Sequence, residues 1–183
     1  MSDIAPAAVI AVLLGCTWAV PAAIAHVLTP PTTPVAAGTA VLDTGMVKVT
    51  YPAPAGWEEH RTGSPASTRY TQGDDSLSVR IVSGVSDVRT AAERTATSMS
   101  SDGMAVILSD EKQTTDQGYE AYSCETVNNG DNTAGPCAMI AHGDTLVAVT
   151  SLSKDFTKEQ PFIDIANALT IEELAPAEQD GEN

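Results

Sequence analysis

Three histidines, three cysteines and many serines and threonines are the residues of this chain equipped for catalysis or ligation. A hydrolase needs a nucleophile with a base in reach. His26 stands at the end of an apolar run, His60 follows Glu58-Glu59, and His142 borders Gly143-Asp144. No Gly-x-Ser-x-Gly elbow occurs, so His142 and Asp144 read as turn residues rather than a base and its orienting acid. Gly-x-x-x-x-Gly-Lys and Gly-x-Gly-x-x-Gly are absent, which removes the common phosphate- and dinucleotide-binding loops. Asp74-Asp75 and Asp131 lack EF-hand spacing and read as solvated turn residues. Trp57 is assigned to the core, because aromatic residues are scarce here and each must carry much packing. Arg61, Arg69 and Arg80 read as offsets to the surrounding acids. The pattern predicts no enzyme, no catalytic residue, no cofactor and no metal site.

Cysteine spacing is more informative. Cys124 and Cys137 flank the turn-rich stretch Asn128-Asn129-Gly130-Asp131-Asn132. A hairpin folded about Gly130-Asp131 sets 124 opposite 137, which predicts a disulfide, and disulfides persist in oxidising compartments. A zinc site is disfavoured, since no Cys-x-x-Cys or nearby histidine pair exists. The formal net charge is −15. Nucleic acids and anionic lipid surfaces demand a positive face, so nucleic acid is excluded as a partner; the acidity itself keeps a domain soluble.

The elements that must hold these residues begin with an apolar run from Ile4 to Leu28 that contains no Lys or Arg. A stretch of this length spans a hydrocarbon core of about 30 Å as one helix, so residues 1–28 read as a single-pass transmembrane anchor. Two processed readings stand beside it: a secretory signal cut after Ala23-Ile24-Ala25, and a lipoprotein signal in which Leu13-Leu14-Gly15-Cys16 resembles the bacterial lipobox and Cys16 is acylated. Small residues (Ala7, Ala8, Ala11, Gly15, Ala19, Ala22, Ala23) leave one helix face smooth, which suits close approach to other helices. Pro30, Pro31 and Pro34 mark residues 29–44 as a semi-rigid linker. Residues 45–171 form one domain, and residues 172–183, acidic and free of basic residues, a disordered tail.

Within the domain, periodicity switches between strand and helix. Strands are expected at 46–51, 68–70, 77–82, 105–108, 119–127, 137–142 and 145–151. Turns fall at Pro54-Ala55-Gly56-Trp57, Gly73-Asp74-Asp75 and Gly143-Asp144. One helix follows Ser86 as N-cap, carries Val88, Ala91, Ala92, Thr95 and Met99 on one face and ends at Gly103. A second starts near Thr157, where Thr157-x-x-Gln160 fits a capping box, and buries Phe162, Ile165, Ala166 and Leu169. Runs of strands punctuated by helices mean an α+β domain with an antiparallel sheet.

This order of elements, with Pro54-Ala55-Gly56-Trp57 soon after the first strand, is similar to the PsbP-like fold over about residues 46–171. That fold includes the PsbP extrinsic proteins of photosystem II and LpqN-type actinobacterial lipoproteins. The resemblance implies an α/β/α sandwich around a central antiparallel sheet, and a non-enzymatic role, since members dock onto larger assemblies. It transfers no functional residue. The leading functional expectation is a membrane-anchored extracytoplasmic interaction module. In that reading the domain lies outside the cytoplasmic membrane as an accessory subunit of an integral membrane protein complex, an actinobacterial respiratory supercomplex being one candidate. The alternatives are a ligand-binding envelope lipoprotein acylated at Cys16 and a cell-envelope hydrolase. No small-molecule ligand is specified.

Overall fold

Turn chemistry sets most of the topology. In the computed structural model, which describes residues 32–101, 103–155 and 160–174, the chain reverses at Gly73-Asp74 between the paired residues Gln72 and Asp75. It reverses again at Gly143-Asp144 between His142 and Thr145. Gly73 and Gly143 sit at φ 63° and 55°, the left-handed backbone that such two-residue hairpin loops require and that glycine adopts without a Cβ penalty.

The strands so connected are β5 (Ser67–Gln72), β6 (Asp75–Ser83), β9 (Thr133–His142) and β10 (Thr145–Leu152). With β1 (Thr32–Pro34), β4 (Glu58–Arg61), β7 (Met104–Thr114) and β8 (Glu120–Asn128) they make an antiparallel sheet in the order β1-β4-β5-β6-β10-β9-β8-β7. A second sheet, β11-β3-β2, joins β2 (Thr39–Asp43), β3 (Val47–Pro52) and β11 (Thr170–Glu173).

Each strand of the large sheet alternates two faces. On one, Leu77, Val79, Ile81, Val147, Val149 and Ile140 pack against Val49 and Tyr51 of β3, Trp57, and Ile165 and Leu169 at helix α2 (Phe162–Ala168). On the other, Tyr122, Cys124, Cys137, Met139, Leu146 and Ala148 pack against Ala92 and Met99 of helix α1 (Val88–Ser101). The layers are α1, the large sheet, then α2 together with the small sheet. Two buried phenols tie the sheets together: the hydroxyls of Tyr51 and Tyr70 share a hydrogen bond of 2.9 Å. Burial, then their mutual bond, pushes Tyr51 far above the ordinary phenol range, and burial likewise raises Tyr70.

Several expectations need correction. The third layer is not helix alone, because the second sheet fills most of it. Thr32–Pro34 and Thr39–Asp43, read as linker, are strands. Pro34 is tolerated because β1 is an edge strand, and Leu42 enters the core. Glu172 and Glu173, read as disordered tail, pair with Lys48 and Val47, since Ile171 anchors β11 in the core. The region around His60, read as loop, is strand β4. Strand β7 runs on past Leu108 to Thr114 through a register shift between Leu108 and Lys112. Helix α1 is capped by Asp87, not Ser86: its Oδ1 accepts the Thr90 N–H at 2.7 Å, and hydrogen bonds from the Thr90 side chain and then its N–H hold the carboxyl below the ordinary range. Helix α2 begins at Phe162 with Pro161 at the cap, a position where proline's fixed φ and missing N–H do no harm. Thr157 of the expected capping box, the anchor 1–28 with Cys16, and most of the tail lie outside the described residues. Among the described residues no helix is long and apolar enough to cross a membrane.

Candidate functional site

The residues with catalytic chemistry are distributed and engaged. Cys124 and Cys137 stand directly opposite each other on β8 and β9, Cα atoms 4.8 Å apart, and are joined as a disulfide. The hairpin pivots between Gly130 and Asp131, since Asn128 pairs with Thr133. The bond is buried under α1, and the Thr126 hydroxyl donates to Cys137 Sγ at 3.0 Å. His60 Nε2 lies 2.7 Å from Thr71 Oγ1. His142 packs its ring on Tyr119, centroids 4.8 Å apart, and Asp144 accepts from the Thr145 hydroxyl at 3.2 Å. Asp75 is buried and accepts from the Ser153 hydroxyl at 2.7 Å. Asp74 pairs with Lys154 at 3.3 Å. Asp131 accepts from the Asn128 amide at 2.9 Å. Among the described residues no three His, Cys, Asp or Glu side chains gather as metal ligands. Trp57, 5% exposed, belongs to the core beneath the small sheet. Its turn closes through a Trp57 N–H bond to the Pro54 carbonyl of 3.2 Å, with Gly56 at φ 82°.

What the fold leaves open is a groove. Eight strands about 4.8 Å apart make a sheet roughly 34 Å wide, while the seven-residue helix α2 is about 10 Å long. Helix α2 packs on β3, β9 and β10, so the face of β7, β8 and β9 beyond it is uncovered. The resulting hollow of ≈ 520 Å³ is floored by Ala121 and Ser123 of β8 with Pro136 and Ala138 of β9, and walled by Ile107 of β7 and Ile163 of α2. Ile107 and Ile163 are 69% and 65% exposed, the two most exposed large hydrophobic side chains among the described residues. Serine and glutamine along the floor and rim (Ser109, Gln113, Ser123) supply hydrogen-bonding groups. A mixed apolar and hydroxylic floor between two solvent-facing isoleucines suits contact with another polypeptide.

Sequence reasoning missed both isoleucines. Ile107 sits in the run Ala105 to Leu108, which reads as a strand without a distinct exposed face, and Ile163 neighbours the apolar stripe of α2. The available signal was the polar stretch from Ser109 to Thr114, which marks β7 as an edge strand with little cover. The arginines also divide. Arg69 and Arg80 share the α1-side face of the large sheet, beside one of its hollows, whereas Arg61 pairs in register with buried Thr68 and faces the small-sheet side, near Leu42.

No protein-family model and no curated protein matches the chain. Among solved structures, the chain is similar to cyanobacterial PsbP (CyanoP) from Synechocystis sp. PCC 6803, a solution structure. Identity is 20%, the TM-score is 0.50, and the match covers 75% of this chain and 93% of that chain. At this identity the likeness is one of architecture: the chain has a PsbP-like fold.

Proposed function

We propose that this protein is a non-enzymatic accessory subunit whose PsbP-like domain docks on a larger membrane complex through the groove beside α2. The observation that carries this reading is the uncovered β7–β9 face with Ile107 and Ile163 standing in solvent. A large exposed aliphatic pair at a concave surface is retained when a partner covers it. The fold supports it, because PsbP extrinsic proteins are docking proteins. In this reading residues 1–28 are a single-pass anchor, and the domain sits on the extracytoplasmic side of the cytoplasmic membrane. The Cys124–Cys137 bond supports an oxidising compartment. An actinobacterial respiratory supercomplex is the complex we favour.

Affinity purification of the full chain in mild detergent, followed by mass spectrometry, tests the reading. Integral membrane subunits are expected to co-purify. Ile107→Glu with Ile163→Glu is expected to abolish their recovery while leaving the melting temperature nearly unchanged, since exposed side chains contribute within about 0.5 kcal/mol to stability. Recovery of the wild-type chain only as a free monomer contradicts the proposal. The ≈ 520 Å³ volume of the groove also suits a small ligand, which keeps the second reading, an envelope lipoprotein acylated at Cys16. The mass of the native N-terminal peptide separates the two.

A further inference from the structure

Positive charge is scarce in this chain and unevenly placed. It holds nine lysines and arginines against 24 acids. Arg89, Lys112 and Lys154 are tied up in ion pairs. Arg69, Arg80 and Arg94 meet no carboxylate within ion-pair distance among the described residues, yet all three line the flank of α1. Two hollows run there, of ≈ 310 Å³ and ≈ 480 Å³. Arg69 lines the first, Arg94 the second, and Arg80 and Thr95 line both, so the hollows meet across Arg80.

The strand pattern explains why this trench exists. Helix α1 covers the apolar α1-side face of β7 to β10. Beyond it, the same face of β5 and β6 carries Ser67, Arg69, Ser76, Ser78 and Arg80 instead of apolar side chains. Arg69 stands opposite Ser78 and Arg80 opposite Ser67. The two arginines are therefore diagonal cross-strand neighbours about 7–8 Å apart along the sheet, close enough for their long side chains to meet one anion from two sides. Thr150 of β10, in register with Ser78, adds a hydroxyl. One carboxylate borders each hollow, Asp131 the first and Asp87 the second; each is held in place by a neutral donor, the Asn128 amide and the Thr90 N–H, and keeps its charge.

We propose that the trench along α1 binds phosphate-class oxyanions, with Arg69 and Arg80 clamping one group and Arg94 meeting a second. All three cations are arginine, whose planar fork matches such anions bidentately. The hydroxyls of Ser76 and Ser78 of β6 and Thr150 of β10 line the same hollow, more donors than a two-oxygen carboxylate uses and enough for a tetrahedral group. Diphosphates and phosphate-bearing lipid headgroups share this chemistry. The site lies on the α1-side face of the large sheet, opposite the docking groove, and does not depend on the docking proposal.

Calorimetric titration of the full chain in neutral detergent at low ionic strength tests it, with sodium pyrophosphate in one arm and a soluble short-chain phosphatidylglycerol in the other. Saturable binding is expected in at least one arm, and the arm that binds identifies the source of the anion. Arg80→Gln should weaken it by about 10- to 100-fold, the loss of one charged hydrogen-bonding partner. Arg69→Gln should do the same, and Arg94→Gln should weaken it less. Arg61→Gln removes the same charge on the opposite face and should leave binding unchanged. These side chains are exposed, so the variants are expected to melt as the wild type does. Absence of saturable binding in both arms overturns the proposal, as does an Arg61→Gln loss equal to that of Arg80→Gln.

Discussion

Tyr51 and Tyr70 show how single side chains hold the two sheets in place. Each phenol is buried and each satisfies the other. Replacing only one leaves a buried hydroxyl without its partner, which costs about 1–3 kcal/mol. Tyr51→Phe or Tyr70→Phe should therefore lower the urea midpoint by that equivalent. The double replacement should recover most of the loss, because no orphaned hydroxyl is left. Their pKa direction also has a consequence. Both phenols are raised in the folded protein by burial first, whereas in the unfolded chain they ionise near the ordinary value of about 10. Their contribution is thus complete below about pH 10 and is lost as pH rises above it. Alkaline unfolding monitored by circular dichroism should set in above about pH 10, and at higher pH in the double phenylalanine variant than in the wild type.

At the level of elements, the β8–β9 hairpin is stapled at its centre. The bonded cysteines are 13 residues apart, and closing a loop of that size in the unfolded chain is worth about 3 kcal/mol in the chain-entropy model. Reduction should lower the melting temperature by roughly 6–12 °C for a domain of this size. An unchanged melt would show that the thiols contribute nothing by being joined. This hairpin was legible from local information alone, because Asn-Gly-Asp turn residues and two equidistant cysteines specify the same register. Helix α1 was legible for the same kind of reason: Ala92, Thr95 and Met99 recur at helical spacing and are buried, and Gly103, at φ 89°, ends it. Strand β4 was not legible. Glu-Glu-His-Arg has no apolar alternation, and it becomes a strand because β1 and β5 pair with it on both sides.

For the molecule as a whole, the domain starts earlier than composition suggests. A chain trimmed to residues 32–174 retains both sheets and should unfold in one cooperative transition, monomeric in sedimentation. A chain trimmed to 41–174 loses β1 and the first residues of β2. It uncovers the edge of β4 and removes the Val35 N–H bond of 2.8 Å to the Trp57 carbonyl. It should melt at a lower temperature. Equal stability of the two chains would show that β1 adds nothing to the fold. Gly135 illustrates the same long reach. A Cβ there would run into the Ser151 backbone carbonyl, a contact created by the Ala134–Ser153 bridge across β9 and β10 and invisible in the residues around position 135.

Local order in the residues was enough for the α+β class, the reversals at Gly73 and Gly143, the disulfide pair and the core role of Trp57. The first three depend on turn chemistry or on a period of two or 3.6 residues, and such patterns act over a dozen positions or fewer; the last follows from the scarcity of aromatic residues. The second sheet, the groove between Ile107 and Ile163, and the separation of Arg61 from Arg69 and Arg80 were settled only by packing. They depend on which strands meet across more than a hundred residues, as when Thr50 pairs with Thr170. They also depend on how far a seven-residue helix reaches over an eight-stranded sheet. Partner choice among distant segments is a property of the assembled core, because the free energy that selects it comes from burying the faces together.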